Sequence, residues 1–201
     1  PDLVVLNADA TKADSVKTAL QKLKIKVYFE SAPTDLNGAF EEINALGKLT
    51  GRAASAAILV RKMKSTISKA IISAKKQKNS LTFFHELDDT LYSVTSETFI
   101  GKVYKDLGLT NVADVAAKAD SYGYPQLSAE YLVQSNPALI FLADAQYGVT
   151  ASNVAARPGW STMKAVVNKK VIPLPDDLPS RWGPRLADFY LFIAKVLSDV
   201  R

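Results

Sequence analysis

Between residues 49 and 71, apolar or small side chains recur at Leu49, Ala53, Ala57, Val60, Met63, Ile67 and Ile71. Steps of three and four residues are the period of one helix face. Arg52, Arg61, Lys62, Lys64, Lys69, Lys75 and Lys76 mostly take the opposite side, and no proline interrupts the run. The pattern predicts a helix over residues 50–77, opened by Thr50 and Gly51. Such a helix is about 42 Å long at 1.5 Å per residue, enough to pass from one globular body to another. Its heptads cover too few turns to favour a coiled coil.

Shorter patterns flank this run. Residues 3–6 and 26–29 read as buried strands around a helix over 13–23, a β-α-β unit. Thr34 is placed to cap a helix over 35–46 that Gly47 ends. Beyond the long helix, strands are expected at 81–86, 139–142 and 170–174, the kind of apolar runs a parallel sheet buries on both faces. Helices are expected from a Ser96 cap to Leu107, from a Ser128 cap to Asn136, over 163–167, and over 185–200 with Leu186, Phe189, Ile193, Val196 and Leu197 inward. The segments 88–95, 143–149 and 175–184 read as loops, and 111–119 as irregular or short helix. Alternation of strand and helix on both sides of one long helix gives an α/β class. Pro1-Asp2-Leu3-Val4-Val5-Leu6 is also echoed by Pro137-Ala138-Leu139-Ile140-Phe141-Leu142. Two lobes of like construction are the simplest account, the first incomplete: residues 1–46 a remnant of an N-terminal lobe, 47–78 the interlobe helix, 79–201 a C-terminal lobe.

Composition narrows the chemistry. With 48% hydrophobic residues the 201-residue chain can bury a sizeable core. There is no cysteine and one histidine, so thiolate and multi-histidine metal sites are excluded. The net charge of +5 is spread over helix faces, without the aromatic interleaving of a nucleic-acid surface. No apolar run reaches the ~18 residues of a membrane-spanning helix. The chain opens on Pro1 and a buried strand, with no signal segment, and reads as part of something longer. No G-x-S-x-G elbow, G-x-G-x-x-G loop or P-loop is present, so a hydrolase or transferase reading has no motif behind it. The Asp88-Asp89 pair has no nucleophile beside it and reads as loop or capping chemistry; His85 is assigned no role.

Six segments, in order, carry a resemblance: Pro1-Asp2-Leu3-Val4-Val5; Leu46-Gly47-Lys48-Leu49-Thr50-Gly51; Asn111-Val112-Ala113-Asp114; Tyr124-Pro125-Gln126-Leu127-Ser128-Ala129-Glu130; Asn136-Pro137-Ala138-Leu139-Ile140; and Ser180-Arg181-Trp182-Gly183-Pro184-Arg185. The chain resembles the helical-backbone (class III) substrate-binding proteins of ABC importers, the receptors for cobalamin, iron-siderophore complexes and haem. The cobalamin-binding branch is nearest, through Tyr-Pro-Gln-x-Ser-x-Glu and Arg-x-x-Pro-Arg. The resemblance implies two Rossmann-like lobes joined by the long helix, with a metal chelate held between them and passed to a membrane permease. It implies an extracytoplasmic protein, periplasmic or lipid-anchored, with no cofactor, no metal site and no enzymatic activity of its own. It also implies that the signal segment and much of the first lobe lie before Pro1.

Large planar chelates are held by flat aromatic walls and a few polar anchors. The resemblance places Tyr92 and Tyr124 as ligand-facing aromatics, with Asp177, Arg181 and Trp182 in the loop between the last strand and the terminal helix. Arg181 would donate to amide or carboxylate oxygens of the ligand and Asp177 would orient it or accept from an amide. Trp182 has packing under the terminal helix as its alternative, Tyr92 a place on its own lobe, and Asp177–Arg181 an exposed surface pair. Glu130, in the first turn of its helix, would dock into an arginine pocket of the permease; its alternative is simple end-capping. A second reading of the whole chain is a shortened receptor that binds no ligand and self-associates through residues 1–60, where strand edges and apolar helix faces lack cover.

Overall fold

The computed structural model describes residues 1–8, 10–76, 81–175 and 178–200, apart from the side chains of Ala119 and Ser180. They form two compact units, residues 1–56 and 57–201. In the first, parallel strands β1 (Leu3–Asn7) and β2 (Lys26–Glu30) flank helix α1 (Ala13–Lys22), with Leu3 opposite Lys26 and Asn7 opposite Glu30. Helix α2 (Leu36–Leu49) follows, then the start of α3 (Ala53–Lys75). The cap of α2 is Asp35, whose carboxylate accepts from the Gly38 amide at 2.9 Å, and not its neighbour Thr34. Nor does Gly47 end α2: it lies buried inside the helix, where a Cβ would collide with that of Ala56. The glycine is there for close approach of α2 and α3. The turn between them is made by Gly51 in the left-handed region (φ 70°), with the Arg52 amide donating to the Gly47 carbonyl at 2.6 Å.

The long helix therefore begins three residues later than the sequence pattern places it. Its buried stripe keeps Val60, Met63 and Ile67 but runs on through Ala56, Ala70 and Ala74, whereas Ala53 and Ala57 are exposed and Leu49 lies in α2. Extending a 3.6-residue period from the central three lands on those alanines. The larger neighbours Ile58 and Ile72 are left in solvent.

The second unit is built on a four-stranded parallel sheet, β4 (Thr110–Asn111), β3 (Thr82–Glu86), β5 (Leu139–Leu142) and β6 (Val171–Pro173), in the order β4-β3-β5-β6. All four residues of β5 are buried, as a strand covered on both faces requires. Period-two alternation divides the sheet's side chains. Phe84, Ile140 and Leu142 pack with Leu132, Val154 and Trp160. On the other face Phe83 and Phe141 meet Tyr104, with ring centroids 4.4 and 5.0 Å away, and Phe189 of the last helix stands edge-on to Tyr104. His85 belongs to this face. It is fully buried, its Nδ1 lies 2.9 Å from the Tyr104 hydroxyl, and burial pushes its pKa down to about 3, so it is a neutral core residue.

Helices α4 (Phe99–Asp106), α5 (Ala113–Ala116), α6 (Ala129–Ser135), α7 (Ala151–Ala155), α8 (Lys164–Val167) and α9 (Leu186–Ser198) complete the unit. Ser128 caps α6 as expected, accepting from the Tyr131 amide at 3.1 Å. Helix α4 is capped by Thr98 instead of Ser96; the Ser96 amide is taken by the Asp114 carboxylate at 2.7 Å. Helix α7 falls outside the elements expected from periodicity. It is short and is started by a reciprocal Thr150–Asn153 capping box.

Candidate functional site

In a parallel sheet, loops after the carboxyl ends of the strands carry the binding chemistry. Here β3 ends on Glu86, β5 on Leu142 and β6 on Pro173. The loop after β3 holds Tyr92, 41% exposed, and a second loop segment holds Tyr124, 47% exposed. The two segments are stitched together. Ser93 donates to the Pro125 carbonyl at 2.9 Å, Thr95 to Gly123 at 2.8 Å and Leu127 to Leu91 at 3.0 Å, and the Gln126 amide side chain reaches Thr90. An antiparallel bridge pairs Tyr92 with Gln126. Two aromatics 32 residues apart in sequence thus ride on one backbone ribbon. Tyr122, 89% exposed, lies on the same turn with positive φ.

Arg181 is exposed in the loop after β6. Trp182 is half-buried, its ring edge-on to Phe99 of α4 at 6.4 Å, so one side of it is committed to packing in its own unit. Asp177 lies outside the described residues. Glu130 is exposed in the first turn of α6, and hydrogen bonds from its own backbone and Ser128 hold its carboxyl below the usual range. It is a permanent anion near neutral pH.

One cluster escaped the sequence reading. Glu86 is fully buried and its two oxygens accept from both terminal nitrogens of Arg157 at 2.6 Å each. The same guanidinium lies 4.7 Å from the centroid of the Trp160 ring. Asp144, 3% exposed, has two carboxyl oxygens with no bonding partner among the described residues. Burial and the charge of Glu86 raise its pKa to about 6. Two carboxyls against one guanidinium leave a surplus negative charge that a proton relieves. A groove of about 840 Å³ opens beside the cluster, lined by Arg157 and Trp160 together with Asp89, Leu91, Glu130 and Val133. Glu86 and Asp144 were detectable as charged residues closing two apolar strands. Arg157 was not, because it follows the helix the periodicity missed.

A pH dependence follows from Asp144. A raised folded-state pKa means that the folded chain binds this proton more tightly than the unfolded chain does. The contribution is present below about pH 4 and is lost as pH rises through about 6. Asp144→Asn, which imitates the protonated form, is expected to stabilise the chain by about 1–2 kcal/mol at pH 7.5. The gain should vanish toward pH 4. Urea denaturation of both proteins at pH 4 and 7.5 checks this, and an equal gap at the two pH values would contradict it.

The periplasmic binding protein family profile matches residues 1–178. The chain belongs to that family. Among curated relatives, the chain is 29% identical over 194 residues to the uncharacterized ABC transporter substrate-binding lipoprotein YvrC of Bacillus subtilis, covering 94% of the chain and 59% of YvrC. It is 32% identical over 142 residues to a cobalamin-binding protein of Halobacterium salinarum, covering 70% of the chain and 37% of that protein. It thus spans between about a third and three fifths of the length of these relatives. Among solved structures, the periplasmic heme-binding protein RhuT from Roseiflexus sp. RS-1 superposes with a TM-score of 0.83 at 17% identity, over 99% of this chain and 76% of RhuT. The periplasmic vitamin B12 binding protein BtuF of Vibrio cholerae gives 0.71 at 19%, over 98% and 74%. These likenesses establish the α/β fold with parallel sheets, and the named relatives are binding proteins, not enzymes.

Proposed function

We propose that this chain is part of the substrate-binding component of an ABC importer, working outside the cytoplasmic membrane and delivering a metal chelate (cobalamin, an iron-siderophore or haem) to a membrane permease. The observation that carries the reading is the family match over residues 1–178. The stitched ribbon supports it, since it presents Tyr92 and Tyr124 as half-exposed flat surfaces beyond the strand ends, with Arg181 as a cationic anchor on the loop after β6. The exposed side of Trp182 belongs to the same proposed ligand face, and Glu130 is the proposed permease-docking residue.

Isothermal titration of the full-length protein with cyanocobalamin, a ferric siderophore and haem tests it. Micromolar or tighter binding of one of the three is expected. Tyr124→Ala is expected to weaken that binding by roughly ten- to thirty-fold, the loss of one aromatic contact worth about 1–2 kcal/mol. Absence of binding to all three overturns the reading.

A second reading has its own observation. The sheet of the first unit has two strands, and Val5, Val16 and Leu23 around it are 42–70% exposed. Uncovered edges and apolar side chains favour self-association of the 201-residue chain. A monomer at high concentration in light scattering would exclude it.

A further inference from the structure

We infer that the outward face of α3 is a binding surface for anionic phospholipid headgroups, one that lays the second unit against a bilayer along about 27 Å of helix. The inference goes beyond the chelate reading and does not need it, since a chain that binds no chelate carries the same face.

Charge is the first observation. Seven of the chain's 25 basic residues, and none of its 20 acidic ones, fall between residues 52 and 76. Outside that stretch acidic residues outnumber basic ones, so the net charge of +5 comes from one helix and its ends. Such an asymmetry makes a local positive field in a chain that is otherwise close to neutral.

Placement is the second. Ala56, Val60, Met63, Ile67, Ala70 and Ala74 turn inward. On the opposite side, steps of four and three residues join Ile58, Lys62, Ser65, Lys69, Ile72 and Lys76 into one stripe, with Arg61 beside it. All seven are exposed, the isoleucines by 59% and 54%. Among the described residues none of Arg61, Lys62, Lys69 and Lys76 is held in an ion pair.

The mixture of side chains selects the occupant. Four cations strung along a helix match an extended sheet of phosphates better than one compact anion. Each is expected to strengthen binding to an anionic membrane by about five-fold, so charge dominates and the binding is salt-dependent. Two isoleucines about 21 Å apart are too little apolar surface to sink the helix into the bilayer. They reach the acyl boundary while the lysines, on their long stems, stay with the headgroups. That gives a use to the two large apolar side chains of α3 that packing leaves in solvent. A nucleic acid would leave them without a partner, and residues 52–76 contain no aromatic side chain on which a base could stack.

The test is co-sedimentation of the 201-residue chain with phosphatidylcholine vesicles, either pure or containing one third phosphatidylglycerol, near physiological salt. Capture by the anionic vesicles and not by the pure ones is expected. Lys62→Gln with Lys69→Gln should weaken capture about twenty-fold or more. Ile58→Gln with Ile72→Gln should weaken it about three-fold or more. Glutamine is a good helix former at exposed positions, and melting curves of the variants check that the fold is kept. A control of equal charge, Lys22→Gln with Lys26→Gln, changes two exposed lysines of the first unit and should alter capture by less than about two-fold. Absence of capture by the anionic vesicles overturns the proposal. Equal losses in the two lysine pairs overturn the stripe, because net charge alone would then explain the capture. Tighter binding to duplex DNA than to the vesicles, with no effect of the isoleucine pair, assigns the face to a nucleic acid and overturns the lipid surface.

Discussion

Replacing Glu86 by alanine is expected to cost about 3–5 kcal/mol, the range for breaking a buried ion pair from one side. Surface ion pairs are worth under about 1 kcal/mol, so burial decides the case. Glu86 is fully buried, Arg157 is four-fifths covered, and their bond is bidentate at 2.6 Å. Removing the carboxylate leaves the guanidinium over Trp160 with only the weaker fields of Asp144 and, less strongly, Asp89 to answer it. Those neighbours place the expected loss nearer the lower limit, and the first of them makes positions 86 and 144 non-additive. Once Glu86 is gone, Asp144 is the stronger of the remaining counter-charges, so Asp144→Asn should change from stabilising in the wild-type background to destabilising in the Glu86→Ala background. A denaturant double-mutant cycle at pH 7.5 reads both. A loss under about 1 kcal/mol for Glu86→Ala would mean that the pair behaves as an exposed one.

Gly101→Ala is expected to destabilise the chain by about 2 kcal/mol or more, although alanine is the better helix former by about 1 kcal/mol. The added Cβ would collide with the carbonyl of Thr95, a backbone group that cannot rotate away. That carbonyl accepts from both the amide and the hydroxyl of Thr98, the cap of α4, at 3.2 and 2.8 Å. Thr95 in turn donates to Gly123, next to Tyr124. Displacing Thr95 therefore disturbs the cap and the ribbon together, so the melting temperature should fall, and under the proposed function chelate affinity should fall with it. An unchanged or higher melting temperature would show that Thr95 gives way at little cost.

The same position shows where sequence reasoning stopped. Apolar runs located β3, β5 and β6 to within a residue at either end, because a short unbroken run of apolar side chains marks a strand without any information about its partners. Caps were a different matter. Ser96 and Thr98 both carry a hydroxyl suited to the task, and so do Thr34 and, by its carboxylate, Asp35. Tertiary contacts chose between them: Asp114 engages the Ser96 amide, and Gly101 lets α4 approach Thr95. Gly47 carried the signature of a helix end but serves a helix–helix contact instead, which only the packing partner Ala56 explains. For the proposed binding and docking residues, Tyr92, Tyr124 and Glu130 came from a family resemblance and Arg181 from its loop beyond the last strand, and the structure adds that the two tyrosines share a ribbon. The Glu86–Arg157 pair spans 71 residues and had no local pattern to betray it.

The chain's two tryptophans occupy contrasting settings, and that makes them separate optical reporters. Trp160 is sealed in the core under a guanidinium, 1% exposed, so its emission should be blue-shifted and deaf to aqueous quenchers. Trp182 is half in solvent beside Arg181, where iodide or acrylamide can reach it. A quenchable signal that changes on adding a chelate would thus report the loop after β6, and an unquenchable one that changes on adding a partner would report the groove. One unlabelled sample could then tell the two binding events apart.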